Sequence, residues 1–411
     1  MLKLIFSPDD KKRNFVTNSA FLAVIFILLL IAIIRIFVPD ISIYNYALCF
    51  HFLNYEYGML PRGLYGTTIG FLSRFLNANL YFIWWTILII APVILTFAIY
   101  KKRTAGYKIF TPSDYLMLFA AVIPTTYLPA TDLFRMDVIL LTLFIIAAYS
   151  CWLRKFPLAT AVILIIMTLI HDAALFMFIP TVCAISLFRM RNTTQDKIGT
   201  LLQFAGAAAA AGIYWIIRNN PVSCENIDRI INQNCYPGIS GKLTLKPHFD
   251  SIRSGYINYT LKQLNWQWIL YIIFSIPLIV IALKLLFFFW KRFYSCQKWD
   301  NKLQYWRSLL LSLAPLSNII LFIGYDYNRW IWSFISANIF LLLMLMTDRE
   351  YCQIVLKDRE KLKIKLCCIF LLLLGPGNSE CFSTVSFIAA KVFIMLFGDI
   401  LPADIPLTNP L

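Results

Sequence analysis

Continuous apolar runs recur along this chain and fix its fold class before any other feature is read. They fall near residues 20–38, 80–100, 115–129, 138–152, 158–170, 174–188, 199–217, 266–287, 308–324, 330–347 and 364–375. In hydrocarbon the backbone has no water to bond, so only helices and closed barrels cross a bilayer. Barrel strands alternate apolar and polar residues over about ten positions, and these runs do not. The expected fold is therefore all-α: a polytopic integral membrane protein of about 11 (10–12) transmembrane helices, forming a single membrane domain over 1–411. At 60% hydrophobic residues the chain is well above the roughly 45–50% of a soluble domain. The first run, Ala20–Val38, is long enough to span and lacks a small-residue cleavage site, so it reads as a span and not a signal peptide.

A net charge of +16 raises the question of nucleic acid, and the distribution of that charge answers it. With the N-terminus cytoplasmic, most of the 37 lysines and arginines fall in inner segments. These include Lys101-Lys102-Arg103, Arg154-Lys155, Arg189 and Arg191, Lys291 to Arg307, and Arg349 to Lys365. This is the positive-inside pattern, so the basicity is topogenic: the expected partners include membrane lipid and no nucleic acid. Cys151, Cys183, Cys367 and Cys368 lie in apolar runs and read as small core residues. Cys224 and Cys235 share the largest outer loop and can form a disulfide if that side is oxidising. No CxxC pair or histidine-rich cluster suggests a metal, and no cofactor is expected.

Three substantial pieces lie outside. Residues 39–79 contain amphipathic stretches (Ile41–Leu53, Ile69–Leu76) expected to lie on the membrane. Residues 218–267 form the largest loop and end in the aromatic anchor Trp266-Gln267-Trp268. Residues 376–411 include Phe382–Asp399, where Lys391 favours an interfacial helix over a twelfth span. The stripe from Ala205 to Gly212 lets helices approach closely.

Two hairpins carry charged tips between short apolar runs. One tip holds Asp132, Arg135 and Asp137; the other is His171-Asp172. The flanking runs are about 13–15 residues, each covering roughly 20 Å of a core about 30 Å thick, which places both tips below the membrane surface. Ionisable groups at that depth are costly and mark functional sites. Two further clusters sit at the outer membrane edge. Gly58 to Gly66 sets Arg62 among glycines and Pro61, where the backbone can approach a ligand and the Arg fork suits phosphate. Gly324 to Trp330 holds Asp326 and Arg329 among aromatics. Aromatic, Asp and Arg side chains together suit a saccharide diphosphate: rings stack on sugars, carboxylates take hydroxyl protons, and Arg stabilises departing diphosphate.

A layout of about eleven spans, one outer loop near fifty residues and membrane-edge arginines resembles the Wzy-type O-antigen and capsular polysaccharide polymerases of bacterial inner membranes. The resemblance implies a glycosyltransferase polymerising undecaprenyl-diphosphate-linked repeat units at the periplasmic face. Its partners would be that lipid-linked glycan and a chain-length regulator protein. On this reading Arg62, Arg135 and Arg329 hold the diphosphate, Asp326 or His171 is the base, and Asp172 orients His171. An Arg-x(10)-Gly pattern of some members is not met, since Arg229 has glycines nine and twelve residues on. The chain also resembles the GT-C class, which uses polyprenyl-phosphate sugars and in which a catalytic Asp follows the first span; here that is Asp40, with Glu56 second. A lipid-linked glycan flippase is a third reading, for which the paired, broken-helix halves are not seen.

Overall fold

The computed structural model describes residues 55, 63–72, 78–104, 136–219, 266–297, 299, 301–323 and 327–348, with short pieces between 356 and 396. Among these residues the chain is all-helical, with no strands. The helices are α1 (Gly63–Leu72), α2 (Ala78–Thr104), α3 (Asp137–Leu153), α4 (Pro157–Ile170), α5 (Ala174–Met177) and α6 (Ile179–Arg189). They continue with α7 (Thr194–Asn219), α8 (Trp266–Cys296), α9 (Lys302–Leu313), a 3-10 segment (Ala314–Ile323) and α10 (Tyr327–Met346). Two stretches are long and apolar enough to cross a membrane, Thr194–Ile217 in α7 and Ile269–Cys296 in α8.

Apolar residues are distributed differently on the central and outer helices, and this sets the packing. In α3 and α10 the buried positions run almost all round the helix, as in Val138–Leu141, Phe144, Ile145, Ala147 and Ala148, and in Ile339–Met346. A helix apolar on every side must be enclosed, so these two form the centre. Phe144 of α3 stacks on Phe178 at 4.8 Å and meets Phe340 of α10 edge-on at 5.6 Å. By contrast α7 buries only a stripe, Thr200, Gln203, Gly206, Ala210 and Ile217, against α4 and α6.

That α4–α7 contact depends on a missing side chain. A Cβ on Gly206 would stand 2.6 Å from Ala161 Cα, whereas one on Gly212 meets nothing within 4 Å. The small-residue stripe is therefore a packing device at one end only. Gly206→Val is expected to destabilise by about 1–3 kcal/mol through overpacking, and Gly212→Val to be nearly neutral. Thermal unfolding of the two variants in detergent checks this; equal midpoints would mean that the helices do not pack at Gly206.

Several helices differ from the apolar runs that predict them. The run 174–188 is broken at Phe178, and 308–324 is an α-helix up to Leu313 followed by ten residues of 3-10 helix. Both breaks have a proline near them, Pro180 and Pro315. Gly63 and Gly66, expected in a ligand-facing loop, are helical; Gly63 opens α1 because a Cβ there would collide with the Tyr55 ring. Ile69–Leu72, expected to lie on a membrane surface, completes α1, which packs on α4. Cys151 is buried as read.

Charge is segregated along the bundle. α2 ends in Lys101-Lys102-Arg103, α3 is followed by Arg154-Lys155, and α6 ends in Arg189. α10 runs the same way and ends at Asp348, which joins the group. Asp348 Oδ2 accepts from Trp152 Nε1 at 2.6 Å and pairs with Arg103 at 3.0 Å and Arg189 at 3.3 Å. Arg189 Nε donates to the Trp152 carbonyl at 3.1 Å, and its guanidinium lies 5.1 Å from the indole centroid. Arg103 Nε donates to Thr347 Oγ1 at 2.8 Å. Four helices are thus tied at one buried carboxylate, at what is here termed the basic end. At the other end of α8, Phe393 and Ile394 pack on Leu270 and Tyr271.

Candidate functional site

α4 rises from the basic end and stops at His171, whose backbone turns extended (φ −157°, ψ 119°) while its N–H still bonds the Met167 carbonyl at 2.9 Å. The following turn is closed by the Ala174 N–H on the His171 carbonyl at 2.9 Å. His171 and Asp172 are both buried, at 4% and 6% exposure. A 14-residue helix is roughly 21 Å long, which sets the turn that far from the basic end.

Depth is read from α7, which runs alongside α4. Gly199 lies against Pro157 near the start of both helices, and Phe176 meets Tyr214 edge-on at 5.6 Å. From Tyr214 to Asn219, α7 continues for five residues, roughly 8 Å. The His171 turn is therefore recessed below the end of its neighbour α7.

The imidazole and carboxylate are set by local geometry. Asp172 Oδ1 lies 3.1 Å from His171 Nδ1, and the Ala173 N–H is 3.1 Å from each of those two atoms. The Ala173 N–H donates to Asp172 Oδ1 and to an unprotonated Nδ1; with the proton on Nδ1, the ring donates to Asp172 Oδ1 instead. A carboxylate that fixes the tautomer in this way orients a histidine for general-base work.

The chain beyond the turn is redirected by Pro180. It has no N–H for the Phe176 carbonyl one turn back. Ser317 Oγ from the 3-10 segment donates there instead, at 2.6 Å, and Asn318 Nδ2 donates to the next carbonyl, Met177, at 2.9 Å. Two side chains thus replace the helix hydrogen bonds where α5 breaks into α6, and they hold the segment after the His171 turn against the 3-10 segment. Asn318→Ala would leave a buried carbonyl without that donor, at an expected cost of about 1–3 kcal/mol. The detergent unfolding midpoint measures it; a midpoint equal to wild type would mean that the break closes without Asn318.

Asp137, 1% exposed, begins α3 at this same end, where the positive end of the helix dipole favours an acid. Arg329 lies in the first turn of α10, whose far end is Asp348, so the structure brings its backbone to the His171 end as well. Asp40, Arg62, Asp132, Arg135 and Asp326 lie outside the described residues, as do Cys224 and Cys235. Among the described residues there is no group of three or more metal-ligating side chains.

Sequence reasoning missed Ser317 and Asn318, polar residues within an apolar run whose only signal is that position. It also missed Ser333 and Ser336, one helical turn apart on α10 and fully buried, and Thr181 on α6. The hydroxyls of these three and Asn318 Oδ1 have no hydrogen-bond partner among the described residues. Compared with protein-family models, curated proteins and solved structures, the chain matches none.

Proposed function

We propose that this chain is an inner-membrane glycosyltransferase that polymerises undecaprenyl-diphosphate-linked repeat units at the periplasmic face, within a polytopic bundle whose basic end is cytoplasmic. The observation that supports it is the buried His171–Asp172 pair, recessed at the end of the bundle away from the basic cluster. Short apolar segments, Asp137–Leu153, Pro157–Ile170 and the pair α5 and α6 over Ala174–Arg189, reach that end.

In this reading two lipid-linked glycans meet above the turn. His171, oriented by Asp172, takes the proton of the acceptor hydroxyl. The acceptor oxygen bonds the donor's anomeric carbon as the bond from that carbon to the diphosphate oxygen breaks. Arg329, with Arg62 and Arg135, stabilises the leaving undecaprenyl diphosphate. Asp326 is the other candidate base, and Asp40 is the carboxylate of the GT-C alternative.

The test is a gel profile of surface glycan from a strain lacking the gene, complemented with wild type, Arg329→Ala or Asp40→Asn. A ladder that collapses to one repeat unit, restored by wild type and Asp40→Asn but not by Arg329→Ala, is expected. An intact ladder of altered mobility, unrescued by Asp40→Asn, would replace the polymerase with a GT-C transferase. An unchanged profile would refute the substrate class.

A further inference from the structure

The two faces of α8 differ in a way that the packing of the bundle does not require. One face, Leu278, Ala282, Leu286, Phe289 and Phe293, is buried in the core. The other, Ile276, Val280, Leu283 and Phe287, is exposed at 39–69% and spaced three to four residues apart, so it forms one straight apolar stripe. Two lysines stand on that stripe. Lys284 is exposed inside a stretch of mean hydropathy 2.7, and Lys291 is exposed one turn beyond Phe287. An ionisable residue within so apolar a stretch usually turns inward or pairs. Neither lysine has an ion-pair partner among the described residues, whereas the adjacent Arg292 is engaged by Glu360.

Beside Lys291 the surface becomes a groove of about 660 Å³ between α8 and α9, within the size range of small-molecule clefts. Its walls are fixed by Tyr294, whose hydroxyl donates to the Ser308 carbonyl at 2.9 Å and bonds Ser312 Oγ at 3.0 Å. Phe287, Trp290 and Leu313 line its apolar part; Lys291, Ser295 and Ser312 supply the polar part. The Ser295 and Ser312 hydroxyls donate to the Arg292 and Leu309 carbonyls, so the ammonium is the cationic group at the groove, and an apolar track leading to it matches a lipid whose tail is long and whose head is an anion.

We propose that this groove binds the phosphate headgroup of an anionic phospholipid, with Lys284 and Lys291 neutralising it and the acyl chain lying along Ile276–Phe287. The inference rests on α8 crossing a membrane, not on the glycan reading, so either can fail without the other. Lysines at an anionic membrane surface contribute enough each that two give a preference of about thirtyfold.

The experiment extracts the full-length protein from mixed phosphatidylcholine–phosphatidylglycerol vesicles into detergent and measures the lipid that stays bound by mass spectrometry. Wild type is expected to retain phosphatidylglycerol over phosphatidylcholine by about thirtyfold, K284R/K291R to keep most of that preference, and K284Q/K291Q to lose it at an unchanged unfolding midpoint. Should the glutamine variant misfold, Ser295→Asp at the exposed groove wall is expected to abolish the preference by repulsion. No preference in wild type, or an undiminished one in the variants, would overturn the proposal. Displacement of the lipid by inorganic phosphate alone would also overturn it, showing an ion site with no lipid specificity.

Discussion

Asp348→Ala is expected to cost about 3–5 kcal/mol, enough to unfold a protein of ordinary stability. The carboxylate lies between two guanidinium groups, Arg103 and Arg189, with Trp152 Nε1 as a third donor, and Arg189 and Asp348 are each 7% exposed. Removing it leaves two like charges facing each other away from water. The loss is one of charge and not of shape, so the isosteric Asp348→Asn is expected to cost nearly as much. Relief should come from removing charge on the other side: Asp348→Asn combined with Arg103→Met is expected to recover part of the loss. Unfolding midpoints of the purified variants in detergent measure all three. If Asp348→Asn folds as well as wild type, the cluster is held together by hydrogen bonding, and the charges are incidental.

The second large effect is on chemistry. His171→Ala is expected to lower glycan transfer by about 10²–10⁴-fold, the usual contribution of a positioned general base, with the protein still folded in the membrane. Asp172→Asn should lower it too, and in a different manner. An asparagine at this position cannot favour the ring proton on Nδ1 as a carboxylate does, so the remaining activity should show a displaced pH profile, not merely a lower rate. Transfer in membrane vesicles from a labelled lipid-linked repeat unit gives both numbers. Activity of His171→Ala above a tenth of wild type would remove His171 from the base role and leave Asp326.

How much of this could be read from the sequence depends on the kind of contact. Helices α2, α3, α4 and α10 follow the apolar runs closely; for α3 and α10 the reason is burial on almost all sides, which leaves a continuous apolar record. The position of the His171 turn between two helices was legible from its charged pair between apolar runs. The break at Phe178 was not: Pro180 stands in an unbroken apolar run, and nothing beside it shows that Ser317 and Asn318 complete its hydrogen bonds from 141 residues away. Arg103 and Arg189 mislead in another way. Read from the sequence they count only toward membrane orientation. The count carries no hint that these two, among many basic residues, converge on one acid; only Asp348, an acid at the end of an apolar run, marked the place.

The loan of donors from residues 317 and 318 to the carbonyls of Phe176 and Met177 bears on how the protein is made. As the chain leaves the ribosome, α4, α5 and α6 are complete long before the 3-10 segment exists, and through that interval two peptide carbonyls at the break lack the side-chain donors that later cover them. The His171 turn can therefore take its final shape only when about three quarters of the chain has been made. A nascent or truncated product ending before Ser317 would carry His171 and Asp172 yet present them on an unfinished support, a natural target for membrane quality-control proteases. Completion of the His171 turn is thus deferred, by the order of assembly, to the last quarter of the chain.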